Sequence, residues 1–338
     1  MNLFRTLLLR LAPRVALMLL SLVGLAQAQH AGYRTRTIAG DTATTVALFY
    51  PTSVPDRVLG MGPWQARVAP GAPPSEARLR GLILVSHGTG GTELNHHNLG
   101  TRLAREGYLV AAVRHAGDNW QDRSLVASGR YFSERPRQVS RVLDALLASP
   151  EWGPRIPVDR IGAVGHSAGG YSVLALAGAQ AEPARATRHC RTVADDPGFC
   201  ALAKGGADAS AVDAGMRDAD RVSVPDRRIV AVVALAPMAV VLTPESLAAI
   251  RVPVRVLVAE RDAVLNGAYH GAQVAAHGPT VRARTVAGAG HFAFMAPASV
   301  PLPSAAGDAA ANPPGFDRAA FLAELDDEVA AFFGELWR

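Results

Sequence analysis

The stretch RIGAVGHSAGGYSVLAL (160–176) decides the fold. Residues 161–165 are apolar or small and form a short run that suits a buried strand, whereas the residues after Ser167 continue as a helix. Between them stands Gly165-His166-Ser167-Ala168-Gly169. A serine at the apex of a sharp strand-to-helix turn needs neighbours two before and two after it with almost no side chain, and both are glycine. Taken alone, the pattern could also be a glycine-rich helix start. The strand before it and the helix after it supply the context a reactive serine requires.

Working outward, strand and helix signals alternate. Upstream, GLILVS (81–86) reads as a buried strand and NLGTRLAREG (98–107) as an amphipathic helix closed by Gly107. YLVAAVR (108–114) and RPRQVSRVLDALLAS (135–149) repeat the pair. Downstream, the alternation resumes at 228–236, with a helix near 244–250, strands at 253–259 and near 280–286, and a last helix over 319–336. This order predicts a mostly parallel sheet covered by helices on both faces. RTIAGDTATTVALFYP (36–51) alternates enough for one or two further strands. The Pro/Gly-rich stretch 51–80 is expected to be irregular surface loop. Residues 181–227 break the rhythm and are expected to be an insertion, a small cap. The Pro/Ala-rich stretch 296–315 is long for a loop and is expected to act as a partial lid. No internal repeat and no independent second domain is expected.

A serine hydroxyl needs a base, and the base an orienting carboxylate. VPVRVLVAERDAVL (252–265) puts Asp262 just past a strand end, and VAGAGHFAF (286–294) puts His291 in a Gly-rich loop after another strand. Glu260, at the strand end itself, is the competing carboxylate; Asp262 is preferred because a residue on the following loop can reach the imidazole. The anion that develops on a carbonyl oxygen needs two backbone donors. The Ala168 amide, at a helix N-terminus, is one candidate. The second is the Thr89 amide in LVSHGTGGT (84–92), whose glycines lack the Lys-Ser/Thr ending of a phosphate loop. His115, Asp118, Asn119, Trp120 and Asp122 are expected on the rim of the site. The adjacent His96 and His97 sit beyond the oxyanion candidate, in poor arrangement for a metal.

The N-terminus reads as a targeting segment rather than as structure. Arg5, Arg10 and Arg14 precede the apolar run VALMLLSLVGLA (15–26), and Ala26-Gln27-Ala28 supplies a cleavage pattern. Residues 1–28 are therefore expected to be a signal peptide, with an uncleaved anchor as the alternative, and residues 29–338 the mature domain. Three charges of the formal net +5 leave with the signal. The remaining arginines are spread along the chain, and no nucleic-acid partner is expected. After export, no stable membrane insertion is expected either. The only cysteines, Cys190 and Cys200, are read as a disulfide of an oxidising compartment, periplasmic or extracellular. A metal site is the sharper alternative, but the spacing is poor for zinc.

SHGTGG, GHSAGG, ERDAVL and GAGHF together resemble the dienelactone hydrolase-like branch of the α/β-hydrolases, and are similar to the platelet-activating-factor acetylhydrolases. The resemblance covers roughly residues 36–180 and 228–292. It implies the α/β-hydrolase fold and cleavage of a carboxylic ester in a small molecule, with no metal or organic cofactor. True dienelactone hydrolases use a cysteine where this chain has Ser167. The alternatives left open are a peptidase or amidase, a lipase, and a binding protein that keeps the fold without chemistry.

Overall fold

Alternating residues set up four N-terminal strands, β1 (His30–Ile38), β2 (Thr44–Thr52), β3 (Arg57–Met61) and β4 (Trp64–Pro70). The alternation then passes to β5 (Leu82–Ser86), α1 (His97–Arg105), β6 (Leu109–Arg114), α2 (Tyr131–Leu147), β7 (Ile161–His166) and α3 (Ala168–Leu176). Among the described residues of the insertion are two helices, α4 (Ala184–Thr192) and α5 (Pro197–Gly205). Beyond it come β8 (Ala231–Leu235), α6 (Pro244–Ala249), β9 (Val254–Ala259), α7 (Gly271–His277), β10 (Val281–Val286) and α8 (Arg318–Leu336). The computed structural model describes residues 30–40, 42–126, 128–205, 220–304 and 306–338. The expected signal segment 1–28 and residues 206–219 of the insertion lie outside the described residues.

One sheet contains all ten of these strands in the order β10-β9-β8-β7-β5-β6-β2-β1-β4-β3. The six from β10 to β6 pair in parallel, and β2 joins them antiparallel to β6. Strand β5 shows how both faces are covered. Leu82 and Leu84 belong to a core shared with Val139, Val142 and Leu143 of α2 and Val173 of α3. Ile83 and Val85 face the opposite way, toward Leu99 and Leu103 of α1 and Leu325 and Val329 of α8. Both faces being apolar, the strand shows no polar alternation, as expected for a buried parallel strand.

The stretch 51–80 departs from its expected irregularity. Strands β3 and β4 form a hairpin in which Met61 pairs with Trp64 across Gly62-Pro63. The period of two was present in WQARV: Trp64, Ala66 and Val68 are buried, Gln65 and Arg67 exposed. Gly62, with φ 61°, takes the first place of the two-residue loop, the glycine position of a tight hairpin. Prolines at 51, 55, 63 and 70 masked that signal, yet all stand at strand ends or in turns.

The insertion carries the disulfide between Cys190 and Cys200. Its helix α5 sits tightly on the loop after β9: a Cβ placed on Gly198 would lie 2.3 Å from the Ala263 carbonyl oxygen. The stretch 296–315 is tied down at several points. Ser299 donates from its amide to the Pro63 carbonyl at 2.8 Å, and Arg318 donates to the carbonyls of Ala309 and Ala311.

Candidate active site

Ser167 has φ 57° and ψ −118°, a left-handed backbone that a side chain rarely adopts and that costs roughly 1–3 kcal/mol. Hydrogen bonds on both sides hold it there. Its amide donates to the Leu235 carbonyl at 3.0 Å, and its carbonyl accepts from the Met238 amide at 2.9 Å. The end of β8 therefore braces the turn. The flanking glycines leave no space: a Cβ on Gly165 would stand 2.1 Å from the Gly169 oxygen, and one on Gly169 1.9 Å from the Ser86 oxygen. Gly88 lies directly under the serine, since its Cβ would meet Ser167 Cβ at 3.1 Å.

The loop after β9 and the loop after β10 meet beside this turn. His291 Nδ1 is 2.8 Å from Asp262 Oδ2, and both side chains are nearly fully buried. Asp262 is itself fixed, because Oδ1 accepts from the amides of Val264 at 2.9 Å and Leu265 at 2.7 Å. A carboxylate only accepts, so Nδ1 carries the proton and Nε2 presents a lone pair when the ring is neutral. Glu260 points elsewhere, with Oε2 accepting from the Gly288 amide at 2.7 Å. His291 is tied to the serine turn through His166, whose Nε2 donates to the His291 carbonyl at 2.9 Å. The two rings lie 4.8 Å apart, centre to centre.

Ala168 opens α3, and Thr89 lies in the loop that Gly88 presses against the serine. Among the described residues, neither amide donates to a protein acceptor. The Thr89 hydroxyl is bonded to that of Tyr131, the first residue of α2. The structure thus brings Ser167, Ala168 and Thr89 to one spot and Asp262 and His291 to its border.

The segment expected on the rim divides in two. Trp120 and Asp122 are exposed, and the Trp120 amide donates to Gly91 at 3.1 Å. His115 and Asp118 are instead fully buried beneath the loop 87–91, because each finds partners there. His115 bonds Ser86 Oγ at 2.7 Å and Gln138 Oε1 at 2.9 Å, and its amide donates to His87 Nε2 at 3.1 Å. That last bond leaves the His87 proton on Nδ1, which donates to the Gly88 carbonyl at 2.6 Å. Burial, reinforced by the Arg135 cation, holds His87 and His115 far below the ordinary histidine range. His96 and His97 are also buried, at the start of α1 rather than in an open loop, and burial lowers both to about 4. His166 is lowered by burial and then by its proximity to His291 and His96.

Arg135 escaped notice in the sequence. It is fully buried, ion-paired with Asp118 through Nη1, and bonded to the His87 carbonyl through Nη2. The signal that could have found it is phase. Tyr131, Arg135, Gln138, Val139, Val142 and Leu143 fall on one face of α2, so two polar residues stand where apolar ones belong.

Among the described residues, no group of three or more His, Cys, Asp or Glu side chains could hold a metal, and no helix is long and apolar enough to cross a membrane. Residues 69–190 match the family model described as the dienelactone hydrolase family. No curated protein sequence matches the chain significantly. Among solved structures, a ferulic acid esterase from Streptomyces cinnamoneus superposes with a TM-score of 0.61 at 21% identity, covering 90% of this chain and 89% of that one. A dienelactone hydrolase from Anabaena variabilis gives a TM-score of 0.49 at 12% identity, covering 90% and 98%. The chain has the α/β-hydrolase fold, and over residues 69–190 it is similar to the dienelactone hydrolase family.

Proposed function

We propose that this chain is an exported serine hydrolase that cleaves carboxylic esters of small molecules through an acyl-enzyme. The observation that carries the reading is the Asp262–His291 hydrogen bond, 2.8 Å long, at the border of a strained serine turn. Asp262 holds the proton on Nδ1, leaving Nε2 to take the proton of Ser167 as its oxygen attacks the ester carbonyl. The Ala168 and Thr89 amides receive the developing oxyanion, with the dipole of α3 adding to the first. His291 returns the proton to the departing alcohol, and water then repeats the sequence on the acyl-serine. The hydrogen bond from His166 to the His291 carbonyl keeps the histidine loop against the turn. No metal or organic cofactor enters any step. The fold neighbour that is a ferulic acid esterase, and the dienelactone hydrolase match over 69–190, support ester chemistry of this class. The disulfide and the N-terminal segment 1–28 support export to the periplasm or beyond.

The test is labelling of the mature protein with a fluorophosphonate, peptide mapping of the adduct, and turnover of a p-nitrophenyl ester series beside matched anilides. An adduct on Ser167 with ester turnover, both lost in Ser167→Ala, is expected. Turnover preserved in a folded Ser167→Ala protein would overturn it, and faster anilide than ester cleavage would move the assignment to an amidase.

A further inference from the structure

We propose that Asp118 and Arg135 are positioning residues for the oxyanion site, resting on the serine-hydrolase function proposed above: their buried ion pair sets the loop that presents the Thr89 amide to Ser167. Both side chains have no solvent exposure. Removing two opposite charges from water costs more than burying an apolar pair of the same shape, so their remaining hydrogen bonds matter. Those bonds bracket Thr89. Asp118 Oδ1 accepts from the Gly90 amide at 2.8 Å, just after Thr89, while Arg135 donates to the His87 carbonyl, two residues before it.

The same guanidinium reaches the other half of the site. Its Nε donates to Ser172 Oγ at 3.3 Å, and that hydroxyl donates to the Ala168 carbonyl at 2.9 Å. One buried cation therefore connects the loop bearing Thr89 with the helix opening at Ala168. Helix α2 adds two more supports. Tyr131 bonds the Thr89 hydroxyl and lies under the Arg135 guanidinium at 5.7 Å, and Gln138 holds His115, which receives Ser86. Electrostatic stabilisation of an oxyanion depends on donors fixed before the charge appears. A charged fork that grips both sides of one donor restricts it more firmly than neutral hydrogen bonds.

The experiment replaces the pair together, Asp118→Leu with Arg135→Met, so that neither charge is left buried alone, and separately makes Arg135→Lys. Both are compared with wild type and Ser167→Ala for kcat and KM on p-nitrophenyl acetate, for inhibition by phenylboronic acid, and for Tm. Phenylboronic acid forms a tetrahedral adduct on the serine and so reports the oxyanion site in the absence of turnover. The expected result is a kcat lowered about 10–100-fold, KM within about threefold, and phenylboronic acid inhibition weakened in step with kcat/KM. Arg135→Lys, which keeps the charge but loses the fork, should show the same pattern more weakly, and it carries the test if the double variant does not fold. A folded variant of either kind with unchanged kcat, or with lower kcat but unchanged boronate inhibition, overturns the proposal while leaving the proposed function standing. Turnover retained in Ser167→Ala overturns both.

Discussion

Two carboxylates near β9 illustrate how much a single position decides. Asp262 and Glu260 are two residues apart, yet only Asp262 meets His291, and Glu260 caps the amide of Gly288. Asp262→Asn should therefore lower kcat roughly 10³–10⁴-fold by favouring the wrong imidazole tautomer. Glu260→Gln, by contrast, should stay within about threefold on the same ester assay; equal losses in both would contradict the roles. A third carboxylate, Asp326 of α8, is buried, and burial pushes its pKa up to about 7 despite two hydrogen bonds from Asn98 Nδ2. Because the folded form holds its proton more tightly than the unfolded chain, this residue costs stability as pH rises from about 4 to about 7. Asp326→Asn should raise Tm by about 2–5 °C at pH 8 and make little difference near pH 4. A thermal series across that range checks the trend. At this scale the sequence was legible in the placement of Ser167, Asp262 and His291 after β7, β9 and β10, the last two of which meet in a hydrogen bond. It was silent on Arg135 and put Asp118 on the rim rather than beneath the loop 87–91, because an Arg in a helix and an Asp in a loop ordinarily face water.

The insertion packs on the loop that carries Asp262. Asp196, nearly fully buried between α4 and α5, accepts from the Asn266 amide at 2.9 Å and contacts His189 and His270 at 2.9 and 3.0 Å. His270 Nδ1 accepts from the Ala239 amide, so its proton lies on Nε2, toward Asp196. Although burial works the other way, the His270, Asn266 and His189 hydrogen bonds lower the Asp196 pKa. Asp196 thus ties the disulfide-closed helices to residues 262–266, the segment holding Asp262. Asp196→Ala should lower kcat about tenfold and Tm by several degrees, with KM little changed, in steady-state and calorimetric measurements. Strands and helices were legible wherever hydrophobic period and length agreed, as over β5 to α3. Helix α2 begins at Tyr131, five residues before Pro136, and the bond that Pro136 cannot make to the Phe132 carbonyl is replaced by the Tyr171 hydroxyl, which donates there at 2.7 Å. The β3–β4 hairpin was hidden by composition: prolines at strand ends look the same in a sequence as prolines in a loop.

Across the molecule, histidines dominate the response to acid. His87, His96, His97, His115, His166 and His270 are all lowered, with burial the leading cause in each. A histidine kept neutral by the fold accepts a proton first in the unfolded chain. Its contribution is complete above about pH 6.5 and is lost as pH falls toward the folded value, about 4 for His96 and His97. Each group held well below the ordinary range gives at most about 1.4 kcal/mol per pH unit in that window, and Asp326 works in the opposite direction. Urea midpoints should fall steeply between pH 6.5 and 5; a flat profile there would contradict the buried, neutral assignment. The parallel sheet follows from the order of elements, whereas the depth of these histidines depends on tertiary packing that no local pattern encodes. The crowding around Ser167 also bears on how this chain can vary. Every codon one base away from glycine adds a side chain or a stop, and at Gly165 and Gly169 the first added carbon already collides with backbone. Gly60, with nothing within 4 Å of its own would-be Cβ, has no such restriction. In a saturation library the elbow glycines would appear as two empty columns, and lineages carrying this serine are confined to neighbours reached through silent bases alone.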